Sequence, residues 1–276
     1  MEFLPFHRRQ PHRRPVLPTT PQHVNPKRSC RGQRRKGNAV TRQVVLVTGG
    51  SGGIGRAIGQ RLNDDYQVAL GYSRTKPEAT IGDALWVQCD VTSDQSISEA
   101  VETVRERLGP IYGLVNNAGV TDASLLAAGD NEGAHKAIDT NLLGSYRVTQ
   151  QCIADMLTQR TGRILFMSSV MAAWGSPGQI GYAASKSGMI GMARSLAWEL
   201  GRRGITSNAV LPGLIRTEML SDVSESRIDS VVAQTPLKRV GRPDEVAGLI
   251  RYLLSEEAGF ITGASIPIGG GIGMGL

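Results

Sequence analysis

The feature that most constrains this chain is a glycine-rich turn set between a short apolar run and a helical one. Val44–Val47 reads as a buried strand, Thr48-Gly49-Gly50-Ser51-Gly52-Gly53-Ile54-Gly55 follows it, and Ile54–Leu62 has the apolar spacing of a helix. Glycines at such a turn let backbone N–H groups close on a pyrophosphate, and the N-terminus of the next helix adds positive potential. A lone glycine triplet is a weak signal. The strand before it and the helix after it supply the context in which such a turn binds a dinucleotide.

The same alternation continues along the chain. Gln67–Leu70, Leu85–Gln88, Ile111–Val115, Arg163–Met167, Thr206–Val210 and Ser265–Ile268 read as strands. Ile97–Leu108, Ala134–Leu157, Tyr182–Leu200 and Asp244–Leu254 read as helices. Short apolar runs separated by amphipathic helices predict one α/β domain over residues 43–276. Its expected architecture is a single Rossmann-type, doubly wound parallel sheet with helices on both faces. The 276 residues suffice for such a domain and require no second one. No apolar run approaches the roughly 18 residues of a membrane-spanning helix, so a soluble, cytoplasmic protein is expected.

The net charge of +7 is distributed unevenly. Residues 1–42 hold 11 basic groups against one acid, Glu2, a charge of +10. The remainder holds 20 basic and 23 acidic residues, a charge of −3. The excess positive charge therefore belongs to the first segment, and a nucleic-acid surface on the folded domain is not expected. That segment also carries six of the 13 prolines and shows no hydrophobic period. It reads as a disordered extension that buries too little apolar surface to offset its ordering entropy. An organellar targeting role stays open for it, because it is Arg-rich and acid-poor. The three cysteines, Cys30, Cys89 and Cys152, form no CxxC pair and no metal-ligand spacing with the histidines. Reduced thiols and no metal site are expected.

An acid that pairs with the adenosine ribose of NAD is expected at the end of the second strand, about 20 residues past the glycine turn. That strand runs out as Leu70-Gly71-Tyr72-Ser73-Arg74, with no carboxylate. Arg74 can pair instead with a 2′-phosphate, which favours NADPH, or it is a solvated turn residue.

Tyr182-Ala183-Ala184-Ser185-Lys186 opens a predicted helix. An i,i+4 pair shares one helix face, so phenol and ammonium point into the same cleft. A nearby cation stabilises phenolate, and Tyr182 can then give its proton to a carbonyl oxygen while hydride reaches the carbon. By itself this pair is a common coincidence. Ser169, at the close of the preceding strand and 13 residues before Tyr182, adds a hydroxyl for the same oxygen. Asn116-Asn117-Ala118-Gly119 follows another strand, where ligand sites of such sheets gather. Asn141 lies within a long predicted helix, where its amide can hold a water or a backbone carbonyl.

Thr48…Gly55, Asp90, Asn116–Gly119, Asn141, Ser169, Tyr182, Lys186 and Pro212-Gly213 stand in the order and spacing of the short-chain dehydrogenase/reductases. The chain resembles that family over residues 43–276. The short second crossover (Arg74 to Ala84), the stretch Gly181–Arg194 and the ending Ile266–Leu276 look like the 3-oxoacyl-(acyl-carrier-protein) reductase branch, the mycobacterial type above all. The resemblance implies that Tyr182 is the acid, that Lys186 holds the nicotinamide ribose and tunes Tyr182, that Ser169 orients the carbonyl and that Asn141 supports a proton relay. It implies a cofactor site made by Gly49, Ser51, Gly53, Ile54 and Gly55 on the phosphates, Arg74 at the 2′-phosphate, and Asp90 and Val91 at the adenine. Asn117 would reach the adenosine ribose region, with Ala118 and Gly119 alongside it. Ile215 and Thr217 would lie over the nicotinamide and phosphates, beyond Pro212 and Gly213. Arg160 and Arg203 match carrier-protein docking positions, where they would meet an acidic partner. A homotetramer is implied, with Ala134–Leu157 and Tyr182–Leu200 at one interface.

The sequence departs from the family pattern in three places. Gly52 stands where an Arg or similar residue usually helps bind the 2′-phosphate. Leu125–His135 lacks the bulky residues expected near the substrate helix, and Gly269 replaces an Asp or Asn. The expected activity is NADPH-dependent reduction of a 3-oxoacyl-(acyl-carrier-protein) to the 3-hydroxyacyl form, as in fatty-acid biosynthesis. A ketoreductase acting on a carrier-bound polyketide, or on a free ketone or alcohol in secondary metabolism, would use the same residues. A non-catalytic NADP-binding sensor is the contrasting class, since fold does not fix function, but the full Ser169–Tyr182–Lys186–Asn141 set argues against it.

Overall fold

A computed structural model describes residues 42–121, 125–128, 131–220 and 223–275. Apart from Arg42, the basic extension lies outside the described residues. Arg42 itself is tied to the domain, donating from Nη1 to the Asn63 carbonyl at 2.6 Å and pairing with Asp83.

Seven strands form one sheet: β1 (Val44–Val47), β2 (Gln67–Tyr72), β3 (Leu85–Gln88), β4 (Ile111–Asn116), β5 (Gly162–Met167), β6 (Ile205–Pro212) and β7 (Ser265–Ile268). Their spatial order is β3-β2-β1-β4-β5-β6-β7, and every pairing is parallel. Parallel strands covered on both faces must be apolar at successive positions. β1 meets this requirement with four buried aliphatics in a row. Val44 and Leu46 face one core while Val45 and Val47 face the other.

The first core is closed by α2 (Asp94–Arg107), α4 (Gly144–Gln159) and α6 (Ile180–Leu200), through side chains such as Val101, Cys152 and Met189. The second is closed by α1 (Gly53–Leu62) and α8 (Pro243–Leu254), through Ile58, Leu62, Ile250 and Leu253. Three further α-helices, α3 (Glu132–Ala137), α5 (Met171–Trp174) and α7 (Glu225–Gln234), complete the α-helices of the described residues. The sheet is thus doubly wound, as the alternation of apolar runs predicts.

Helix starts shift outward from the apolar periodicity because caps precede it. Ser93 accepts the Ser96 N–H at 3.3 Å, so α2 begins at Asp94, ahead of Ile97. The Arg242 N–H is taken by Glu245 Oε2 at 2.8 Å, and Pro243 opens α8. The predicted helix Ala134–Leu157 is three pieces. A π-helical turn over Ile138–Leu143 separates α3 from α4. Neither α5 nor α7 was expected. α5 is a single turn, and α7 shows only a short half-buried apolar face, Ile228, Val231 and Val232, with no fully buried residue.

No helix among the described residues is long and apolar enough to cross a membrane. Cys89 and Cys152 are free and buried, and burial pushes the Cys89 thiol up to about 12, as expected of inert structural thiols.

Candidate active site

In an open parallel sheet, ligands collect beyond the carboxyl ends of the strands, where the strand order reverses. Here that crevice opens between β1, whose next strand in sequence lies on one side, and β4 on the other.

The glycine turn leaves β1 and is held from below by β4. Thr48 Oγ1 accepts the N–H groups of both Asn117 and Ala118 at 3.0 Å. The Asn117 amide nitrogen donates in turn to the Thr48 and Gly49 carbonyls, each at 3.0 Å. Asn117, expected at the adenosine ribose, thus spends its side chain on bracing the turn. Thr48, which was not singled out as a site residue, anchors both sides. Its sequence signal is a hydroxyl at the junction of a buried strand and a glycine run.

Two glycines are obligatory here. Gly49 has φ +62°, and a Cβ on it would stand 2.7 Å from the Ala118 Cα. A Cβ on Gly55 would stand 2.3 Å from the Gly49 carbonyl oxygen. The backbone therefore makes a close cradle at the N-terminus of α1. The N-cap, Gly52, adds no side-chain hydrogen bond, and the first turn holds no acid. Uncapped N–H groups in a tight backbone cradle fit the diphosphate of a dinucleotide. Ser51 is partly buried in this turn, and Ile54 packs from it onto the second core. Thr217 closes over it, since a Cβ on Gly53 would meet Thr217 Cγ2 at 3.0 Å.

The remaining cofactor candidates line the same edge. Arg74 is exposed just past β2. The Asp90 carboxylate accepts the Thr92 hydroxyl at 2.7 Å and the Thr92 N–H at 3.0 Å. These bonds hold it below the usual carboxylate range, and the Arg74 charge adds to the effect. Val91 is buried against Gly144. Pro212 ends β6, and the Gly213 N–H donates to the Ile268 carbonyl at 3.1 Å. Ile215 bridges to Gly241. Gly269 has its own steric reason, because a Cβ there would stand 2.5 Å from the Ile272 carbonyl oxygen.

The reactive side chains converge at the ends of β4 and β5. Lys186 is buried on α6 and donates from Nζ to the Met167 carbonyl at 2.7 Å. The Ser168 hydroxyl donates to the Lys186 carbonyl at 2.8 Å, pinning the helix to β5 from the other side. Lys186 Nζ stands 5.5 Å from the centroid of the Tyr182 ring. Desolvation lowers the Lys186 ammonium to about 8. Burial raises the Tyr182 phenol, and a hydrogen bond with Ser169 opposes that rise. Tyr182 is therefore a neutral proton donor around pH 7, with a hydroxyl and an ammonium beside it.

Asn141 lies in the π-helical turn, fully buried. Its Oδ1 accepts the Val120 N–H at 2.8 Å, while its Nδ2 donates to the Val120 carbonyl at 2.9 Å and to Ser185 Oγ at 3.0 Å. Ser185 in turn donates to the Tyr182 carbonyl at 2.7 Å. Gly119 lets these groups meet, since a Cβ on it would stand 3.1 Å from Asn141 Oδ1 and 3.3 Å from Lys186 Nζ. Ser168 and Ser185 were not singled out in the sequence. Each lies one residue from a predicted site residue, which was the available signal. A cavity of about 670 Å³ lies along α5 and the first turns of α6, lined by Leu125, Leu126, Trp174, Gln179, Ile180 and Ala183 among others, and by none of Ser169, Tyr182, Lys186 or Asn141.

Arg160 and Arg203 lie on neighbouring turns away from the cleft. Both are exposed, and a Cβ on Gly204 would stand 2.7 Å from the Arg160 carbonyl oxygen. They flank the amino ends of β5 and β6, whereas Ser169 and Tyr182 sit beyond the carboxyl end of β5.

A dinucleotide-type crevice holding a half-buried tyrosine beside a buried lysine defines an oxidoreductase of the α/β class. The family model described as enoyl-(acyl carrier protein) reductase matches residues 49–273, and the chain belongs to this family, within the short-chain dehydrogenase/reductases. It is 43% identical over 233 residues to a 3-oxoacyl-(acyl-carrier-protein) reductase, MabA, of Mycobacterium tuberculosis, across 84% of this chain and 93% of the relative. It is 38% identical over 240 residues to a similarly named reductase, FabG, of Staphylococcus epidermidis, across 83% of this chain and 98% of the relative. A solved structure of an actinorhodin polyketide ketoreductase variant with NADPH matches with a TM-score of 0.80 at 34% identity. The match covers 84% of this chain and 98% of that one.

Proposed function

We propose that this protein reduces a 3-oxoacyl thioester carried on acyl carrier protein to its 3-hydroxyacyl form, with NADPH as the hydride donor. The observation that carries the reading is the Ser169–Tyr182–Lys186 cluster, backed by Asn141, beside a glycine cradle suited to a dinucleotide. Relatives named for this reaction align over most of the chain.

A bound nicotinamide supplies hydride to the substrate carbon. The protein's own residues do the rest. Ser169 and Tyr182 hold the carbonyl oxygen, and Tyr182 gives it the proton. The Lys186 ammonium stabilises the phenolate left behind. Asn141 fixes the loop at Val120 and, through Ser185, the backbone at Tyr182, so the donor is oriented before substrate arrives. Two hydroxyls converging on one oxygen suit a carbonyl, although the matching family model is described by an enoyl reduction.

Preference for NADPH over NADH rests on Arg74 and on the missing acid at the end of β2. Arg74 projects from the strand end where a 2′-phosphate would lie. Asp90 and Val91 would flank the adenine, and Ile215 and Thr217 the nicotinamide and phosphates. The unit is residues 43–276, with the basic N-terminal extension outside the chemistry, and the setting is cytoplasmic.

Arg160 and Arg203 form the docking surface for an acidic carrier protein. A six-residue strand spans about 20 Å, so this corner lies a strand length from Tyr182 of the same protomer. Docking there would serve a neighbouring copy's cleft, which ties the carrier reading to a homotetramer. Exposed apolar side chains on α4 and α6, including Tyr146 and Trp198, suit such contacts.

NADPH oxidation followed with acetoacetyl-carrier protein, free ketones and polyketide mimics tests the assignment. Turnover is expected with the carrier-bound thioester. Turnover with polyketide mimics alone would favour the ketoreductase alternative, to which the actinorhodin enzyme's likeness points.

A further inference from the structure

A carboxylate reaches the N-terminus of α1 from a distant part of the sequence. Glu218 opens a 3-10 turn, Glu218–Leu220, directly after Thr217. A Cβ on Gly53, the first residue of α1, would stand 3.1 Å from Glu218 Oε2. Glu218 Oε1 lies 3.7 Å from Nη1 of Arg56, in the first turn of the same helix. Both side chains face solvent, 68% and 46% exposed, so the pair is worth little to stability.

Its position matters more than its strength. A helix N-terminus favours negative charge, and α1 offers no acid and no capping side chain of its own. Glu218 supplies that charge in trans, at the end of the segment that closes over the glycine turn. The diphosphate of a dinucleotide would bring its own negative charges to the same N–H groups. Two anions then share one positive helix end, and each raises the cost of the other.

We propose that Glu218 sets the affinity for the nicotinamide dinucleotide. Its carboxylate holds binding weaker than the glycine cradle alone would give, and Arg56 offsets part of that repulsion. The benefit is exchange, because a cofactor used once per turnover must leave. This inference rests on the cofactor reading given above.

Calorimetric titration of NADPH and NADP⁺ into the wild type, Glu218→Gln, Glu218→Asp and Arg56→Gln tests it. Glu218→Gln is expected to tighten both nucleotides on the order of three- to tenfold at low ionic strength. The gain should shrink in about 0.5 M salt, where exposed charges are screened. Glu218→Asp should stay near the wild type, and Arg56→Gln should bind more weakly. A merely structural role would not produce tighter binding that salt erases. An unchanged or weakened Kd in Glu218→Gln would overturn the inference. A wild type that binds neither nucleotide would instead remove the cofactor reading, and this inference with it.

Discussion

At the scale of single residues, the chemistry reduces to two side chains whose ionisation burial has displaced in opposite directions. Tyr182 is pushed up and kept neutral, and Lys186 is lowered from 10.5 to about 8. Removing the Tyr182 hydroxyl takes away the proposed proton donor but no group from the glycine cradle. Tyr182→Phe should therefore abolish turnover while NADPH binding, read by titration, stays largely intact; retained turnover would overturn the assignment. The Lys186 charge carries its own signature. Below about 8 the ammonium is present to stabilise phenolate, and above it the charge is lost. The value of kcat/KM for limiting NADPH, which reports free-enzyme groups, should fall as pH rises through about 8. Stability should move the other way. Between about 8 and 10.5 the unfolded chain binds a proton at Lys186 that the folded protein does not, so stability gains with pH in that window. Buried thiols such as Cys89, raised from 9.0 to about 12, oppose it above about 9, so the signal is a difference: chemical denaturation across pH 7–10 should show the wild type gaining on Lys186→Met as pH rises through about 8. The Tyr182–Lys186 pair was legible because an i,i+4 spacing fixes a shared helix face. Asn117 was less so: a motif names the residue but not which oxygen its amide will reach.

At the scale of elements, local rules account for what the sequence disclosed and what it hid. The strands were plain because double burial demands apolar runs, as in Val44–Val47. The glycine turn was plain because close backbone approach excludes side chains. The π-helical turn at Ile138–Leu143 was hidden, since six residues are too few to display a period of their own between two helical stretches. It matters because it carries Asn141 to the Val120 backbone. α7 was hidden because its apolar face is short, only Ile228, Val231 and Val232, and none of the three is fully buried. The glycines of the cradle are unequal, and this is testable. Gly55 has no room for a methyl group, whereas the nearest atom to a Cβ on Gly52 is the Gly49 carbonyl oxygen at 3.6 Å. Gly52 also has extended backbone, φ −79° and ψ 164°, the conformation of an ordinary N-cap. Gly55→Ala should destabilise the protein by about 1–3 kcal/mol and abolish NADPH binding. Gly52→Ser should stay within about 0.5 kcal/mol of the wild type and still bind. Thermal melts with and without NADPH distinguish the two.

At the scale of the whole molecule, the distribution of charge and of exposed apolar surface suggests an assembly that one protomer does not complete. Trp198 is 91% exposed and Tyr146 54% exposed, on the two long helices that bound the first core. Such side chains left in water mark interaction surfaces when they cluster. Arg160 and Arg203 lie at the amino ends of β5 and β6, opposite the end of the sheet that holds Tyr182. A carrier protein bound at that corner is poorly placed for the cleft of the same subunit. If these arginines dock the carrier as proposed, charge reversal at both should raise KM for carrier-bound substrate and leave KM for a carrier-free acyl thioester unchanged, since only the former would use the surface. The stronger test mixes two defective subunits. Tyr182→Phe protein keeps its docking corner but cannot transfer the proton. Arg160→Glu/Arg203→Glu protein keeps its chemistry but cannot dock. Co-expressed as hybrids, the two should recover turnover of the carrier-bound substrate beyond the sum of the separate proteins if, as proposed, the corner of one subunit feeds the cleft of another. Hybrids that reduce the free thioester yet show no such recovery would place docking and chemistry on the same subunit.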